Sequence, residues 1–224
     1  MRTFLSTSNL YKAAGLAALI TVMATGRIAA GGKNLSLYVP MAFLTMMFIA
    51  GAVTAWGRLA GMPGIVTDRA HFLQGALLAT AASILALPVH LWWLDPLIRN
   101  TLLTTGNHTM LDMAYPSTIG GRLALVLWSA GFQTIFLVAA PMALFARLTD
   151  RRTLAVGLCL ILRVYVTHQQ IDAGGITDSV PLIYLVSLSA TTITCILFGW
   201  FGMAPAMLFA AGLDLHIFFP PVVP

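Results

Sequence analysis

The sequence predicts an all-α protein, a polytopic transmembrane helical bundle of about seven spans, and three observations carry that prediction. The chain has 224 residues, is 59% hydrophobic and only 8% charged, with a mean hydropathy of +0.90. Soluble domains carry roughly 25% charged residues. Its apolar residues gather in long runs, and a helix needs about 20 such residues to cross a hydrocarbon core of roughly 30 Å, where only helices and closed barrels satisfy their own backbone. The net charge of +5 comes from 12 Lys and Arg against 7 acids. These basic residues stand singly beside apolar runs, so they read as topology signals and contacts to lipid headgroups, and nucleic-acid binding is excluded as a function class.

Seven runs follow in order: 11–31, 37–56, 70–94, 123–146, 153–171, 181–201 and 203–219. The first has a basic flank and a short apolar centre, which also fits a cleaved signal peptide; it is taken here as a retained span. The last two are joined through Phe201, Gly202, Met203 and Ala204, which predicts a tight helical hairpin. Arg2, Lys12, Arg58, Arg69, Arg147, Arg151 and Arg152 fall on one side of this arrangement, and Arg27, Lys33, Arg99 and Arg122 on the other. The positive-inside rule then places the N-terminus in the cytoplasm and the C-terminus outside, in a bacterial inner membrane. Residues 95–122 form the only long connection, rich in turn formers yet carrying Leu97, Ile98, Leu102, Leu103, Met110, Leu111 and Met113, so a short helix lying at the outer surface is expected there. The whole chain, 1–224, reads as a single membrane domain, with 1–122 as N-terminal helices plus outer connection and 123–224 as a helical core.

Several side chains invite a functional reading. Cys159 and Cys195 both fall within spans with no CxxC or Cys/His spacing, so they behave as small hydrophobes and imply no disulfide or zinc framework. His71 and His90 share one run but lie 19 positions apart, roughly 28 Å along a helix, and cannot hold one metal between them. His71, His90 or His168 could each supply a single axial ligand to a haem or chlorophyll-type group, a cofactor reading with no paired motif behind it. Trp56, Trp92 and Trp93 sit at run ends, as in an interfacial aromatic belt. Ser187, Ser189, Thr191, Thr192 and Thr194 give the sixth run a small polar face suited to close helix packing, and Gly199 and Gly202 beside Met203 and Met207 suit a tight approach of the last two helices. His108 and Asp112 are spaced as an i,i+4 pair in the outer connection.

The stretch LILRVYVTHQQID, 160–172, places Arg163 and His168 inside a span. An ionisable group there costs roughly 2.5–3.5 kcal/mol on insertion scales, so each needs a partner. His168 and Asp172 are spaced i,i+4 on one helix face. Arg163 points about 140° away from His168 and is expected to use a carbonyl or a lipid phosphate.

Around these residues the order of motifs is SAGFQTIFLVA at 129–139, VYVTH at 164–168, LFGWFGMAPAM at 197–207 and AMLFAAGLD at 206–214. From Ser129 to His216 this order resembles the CPBP family of intramembrane proteases, the CAAX-protease and bacteriocin-processing group. Members carry SAG-x-x-EE-x-x-x-R, then FxxxH, then a final AM-x-x-H-x-x-x-D/N helix. By that resemblance the paired glutamates fall on Thr134 and Ile135, the arginine on Ala139, the phenylalanine on Val164 and the last histidine on Ala210. His168 and Asp214 match the pattern. The chain contains no glutamate anywhere, so the base that activates water in the family is missing, and with it a contribution of about 10²–10⁴ in rate.

The resemblance therefore implies a degenerate member: a non-catalytic, protease-like membrane protein that binds or scaffolds a membrane partner, as an accessory subunit of a larger complex, with His168 and Asp214 as a relict site tied across two helices. Its expected partners are membrane lipids and another membrane protein, and no cofactor is required. Two alternatives stand beside it: a divergent CAAX-type intramembrane endopeptidase working through His168 and Asp214, and a cofactor-binding membrane subunit.

Overall fold

A computed structural model describes residues 7–64, 68–177 and 179–219. Met1, Arg2, Asp178 and Pro224 lie outside the described residues. The protein is an all-α polytopic bundle, and among the described residues there is no strand. The described residues form eight helices in order: α1 Thr7–Ala30, α2 Leu35–Leu59, α3 Arg69–Thr104, α4 His108–Ala114, α5 Ile119–Thr149, α6 Arg152–Gly174, α7 Val180–Phe201 and α8 Met203–Phe218. Six of them, α1, α2, α3, α5, α6 and α7, are long and apolar enough to cross a membrane. The chain is thus an integral membrane protein. The seventh expected span, α8, is shorter and reaches only about 24 Å at the rise of an α-helix.

Local chemistry explains where these helices begin. Asn34, Asp68, Asn107 and Thr118 each stand just before a helix, and their side-chain oxygens accept from the N–H groups of Ser36, His71, Met110 and Gly121. Each satisfies an orphan donor of the first turn. At its far end α6 stops on Gly175, at φ 63°, a left-handed position that favours glycine.

Three helices contain π-helical turns, at His90–Leu94 in α3, Ser129–Ala139 in α5 and Leu197–Phe201 in α7. The first two stand a short way upstream of a proline in the same helix, Pro96 and Pro141, whereas the third ends at Gly202, where the chain turns, and Pro205 stands in the first turn of the next helix. A proline removes one backbone donor and pushes its ring against the carbonyl four residues back. Widening the preceding turn carries that carbonyl aside, and the N–H groups of Asp95 and Ala140 reach back five residues, to His90 and Ile135. Backbone pairing is thereby kept within the segment, as lipid requires. This is also why α3 runs on beyond residue 94. The expected outer connection of 95–122 is correspondingly divided, its first half extending α3 to Thr104 and its second half forming α4.

The hairpin expected of the last two helices is closest at its joint: Gly202, at φ 96°, turns the chain in a single residue, and beyond it α8 packs most on α3 and about equally on α7 and on the π-helical part of α5. Small residues cause it. A Cβ added at Gly75 of α3 would lie 2.6 Å from Phe201 Cβ and 2.7 Å from Pro205 Cγ, and one at Gly212 of α8 would strike Ser83 of α3. Gly199 likewise faces Met142 of α5 rather than α8. Close backbone approach of this kind drives association where no hydrophobic difference between lipid and side chain remains.

Side-chain ties mark both ends of the bundle. Arg152 donates to the carbonyls of Gly199 and Gly61, gathering the 60–64 and 150–152 turns at one end. At the other, Arg27 donates to Met113 O at 2.7 Å and Asn107 to Ala173 O at 3.3 Å. The apolar core between them joins α1, α2, α5, α7 and α8, through Ile20, Met46, Ile135, Met142, Leu197, Met203 and Phe209. Trp56, expected in an interfacial belt, packs partly buried against this core, whereas Trp92 and Trp93 stand exposed.

Candidate functional site

On α6 the buried residues are Ala155, Cys159, Thr167, Ile171 and Gly174, a stripe at helical spacing. Arg163 belongs to it. Its Nε donates to Ser187 Oγ of α7 at 2.6 Å, and Thr167, one turn on, shares that same hydroxyl at 2.8 Å. The expected carbonyl or lipid phosphate is thus replaced by a serine on the polar face of α7. The three threonine hydroxyls of that face, Thr191, Thr192 and Thr194, donate to carbonyls of their own helix one turn back.

His168 lies about 100° around the helix from Thr167, and so points away from the bundle. It is 57% exposed and faces Asp172, 60% exposed, at 3.5 Å. Among the described residues no hydrogen bond joins it to Asp214, whose carboxyl faces the Ser129 hydroxyl instead. The expected tie between His168 and Asp214 is not formed. Of the other positions carried over from the resemblance, Ile135 and Ala139 are core residues, Val164 is exposed, and Thr134 and Ala210 line a cavity with Asp214. The Thr134 hydroxyl is already committed, donating to Ser129 O at 3.0 Å.

That cavity, about 240 Å³, lies where α5, α6, α7 and α8 meet. Its polar wall includes Ser129, Gln133, Thr134, Arg163, Ser187 and Asp214. The π-helical turn of α5 supplies three of these, and His90, from the π-helical turn of α3, borders the cavity as well.

Beside it lies a buried polar cluster. Asp95, 3% exposed, accepts from His216 Nδ1 at 2.5 Å and from the Tyr115 hydroxyl at 3.1 Å. Burial and the neighbouring Asp95 carboxylate push the Tyr115 phenol well above its usual range, so it stays protonated and serves as a donor. The Arg99 guanidinium sits 4.1 Å from the Tyr115 ring centroid. With Nδ1 donating to Asp95, His216 keeps Nε2 for another partner. The His90 ring stacks, tilted, 4.4 Å from that of His216, and its Nδ1 lies 4.0 Å from Asp95 Oδ1. Neither ring nitrogen of His90 has a hydrogen-bond partner, although both are buried. Groups like these normally find one.

Of the three histidines considered as axial ligands, only His90 reaches this site. His71 is exposed and pairs with Asp68 at 2.6 Å, capping α3. Cys159 and Cys195 are buried free thiols. Sequence reasoning missed Asp95, Tyr115 and His216 as site residues. A signal was present: Asp95 is an acid inside the apolar stretch HLWWLDPL, where an ionisable side chain must have a partner. In an α-helix His90 and Asp95 would stand about 140° apart, and the π-helical turn closes part of that angle.

Compared with protein-family models, curated proteins and solved structures, the chain gives no match.

Proposed function

We propose that the protein is a non-catalytic membrane binding protein on a scaffold of the CPBP type, holding a short polar stretch of a membrane partner in the cavity between α5, α6, α7 and α8. One observation carries this reading: the cavity is walled by hydrogen-bonding side chains, yet the Thr134 hydroxyl, at a position where the resembled family has glutamate, is spent on Ser129 O. Its volume of about 240 Å³ is below the roughly 300–1,000 Å³ of small-molecule sites. It suits one or two side chains or a turn of backbone better than a haem-sized macrocycle. The basic residues at the Gly61–Arg152 end support a cytoplasmic N-terminus in a bacterial plasma membrane. The cavity and polar cluster then lie in the outer half of the bundle.

A second reading has its own support. The 2.5 Å contact of His216 with buried Asp95 resembles the oriented half of a general-base pair, which favours a divergent intramembrane endopeptidase working through His216 rather than His168. Site-specific photo-crosslinking separates the two. A crosslinker at Gln133 is expected to capture a discrete membrane polypeptide that remains intact, while one at exposed Leu77 captures lipid. Cleavage of a membrane peptide by the purified protein, abolished in a folded His216→Gln variant, would put the peptidase first.

A further inference from the structure

We propose that His90, Asp95 and His216 form a binding site for a divalent first-row transition metal, of the zinc type. Three observations converge. A ligand atom from each residue lies within 4.8 Å of the others, and the groups are mostly or wholly buried. His90 presents two buried ring nitrogens with no hydrogen-bond partner, a costly arrangement that a metal at either nitrogen removes. Tyr115 and Arg99 surround the cluster as the outer partners of a metal site do, with the Tyr115 hydroxyl holding Asp95.

The donor set decides the class of ion. Two imidazoles and one carboxylate suit zinc or its first-row neighbours, whereas magnesium and calcium take mainly oxygen donors. Ligands about 2.1 Å from a tetrahedral zinc stand about 3.4 Å apart. Loading therefore asks the Asp95–His216 contact to open by about 1 Å, and the His90 ring to close on Asp95 and His216, from separations of at most 4.8 Å, by no more than about 1.4 Å. Both are side-chain rotations. Tyr115 can keep its hydrogen bond to Asp95 throughout.

Three protein ligands leave one coordination position open. His90 borders both the cluster and the cavity, so an oxygen donor, a backbone carbonyl or carboxylate, reaching in from the cavity would take that position and be polarised by the ion. The metal site goes beyond the binding reading and is tested without any occupant.

The test is metal retention by the full-length protein in mild detergent, stripped with chelator and then equilibrated with Zn²⁺ alone. One zinc per chain is expected, retained in His168→Ala and not displaced by excess Mg²⁺. The His90 ring makes no hydrogen bond, so His90→Leu leaves the Asp95–His216–Tyr115 contacts whole and should stay folded by circular dichroism while binding zinc at least about tenfold more weakly. Substituting Co²⁺ should give the visible bands of a low-symmetry N/O site in the native protein and lose them in His90→Leu. Absence of zinc from the folded native protein, or zinc retention by His90→Leu and His216→Gln undiminished from the native level, would overturn the proposal.

Discussion

Two histidine–aspartate pairs in this molecule look alike on paper and differ in nearly everything physical. His168 and Asp172 stand one helical turn apart on α6, 3.5 Å from one another, with both side chains more than half exposed. His216 and Asp95 are separated by 121 positions, touch at 2.5 Å and are almost wholly enclosed. The first pair is written in the sequence by its spacing. The second depends on the close packing of α3 and α8, which Gly75 and Gly212 permit. Burial reverses their importance: water or headgroups screen the outer pair, while the inner one replaces solvent for groups that have none. In a membrane protein, then, a local polar pair is weak evidence of a site, and an isolated acid in an apolar run is stronger evidence.

The largest expected effect comes from breaking the inner pair. Asp95→Ala strands the His216 Nδ1–H and the Tyr115 hydroxyl together, and should destabilise the bundle by about 3–5 kcal/mol, the scale for removing one member of a buried pair. Thermal unfolding in detergent, followed by helical circular dichroism, measures it. If the variant were as stable as the native chain, the cluster would be solvated and the contrast with α6 would vanish.

The fold was largely legible because hydropathy over about 20 residues depends little on detail, and each of the seven apolar runs became a helix. Helix partners were not. Nothing in the joint at Phe201–Ala204 reveals that α8 turns toward α3; that follows from small residues meeting across helices, at Gly75 and Ser83 against Pro205 and Gly212. The candidate site was legible only in part. Thr134, Ala210 and Asp214 do border the cavity, but His168, an ionisable side chain within an apolar run and matched to the family histidine, is turned outward by rotation of one residue from Thr167. The π-helical turns before Pro96 and Pro141 shift the facing of His90, Asp95, Ser129 and Gln133, and a reading with a fixed 100° period places such residues wrongly.

The next effect down tests the crossing that creates the inner pair. Gly75→Ala introduces a methyl 2.6 Å from Phe201 Cβ and should cost about 1–3 kcal/mol as overpacking. Thermal unfolding in the same detergent measures it, and an unchanged midpoint would mean that α3 and α8 do not need that contact to approach.

Smaller still, His168→Ala should change stability by no more than about 0.5 kcal/mol, the worth of an exposed i,i+4 pair. A loss of several times that size would show His168 to be buried against something the isolated chain lacks. The smallest effect is at Asp68, whose carboxyl is held below its ordinary range by the His71 backbone N–H and then by the His71 side chain. A depressed carboxyl stabilises fully above the ordinary carboxylate range and loses that contribution as pH falls through the lowered value. Acidification through that window should therefore speed amide exchange in the first turn of α3 and leave the core unaffected. Slower exchange on acidification would reverse the sign.

A double-mutant cycle on each pair tests the central claim most directly, with Asp95→Ala and His216→Ala on one side and His168→Ala and Asp172→Ala on the other, read by unfolding in the same detergent. The structure predicts a coupling above about 1 kcal/mol for the buried pair and no more than about 0.5 kcal/mol for the exposed pair. Equal couplings, or a larger one on α6, would contradict the assignment of the site to the junction of α3 and α8.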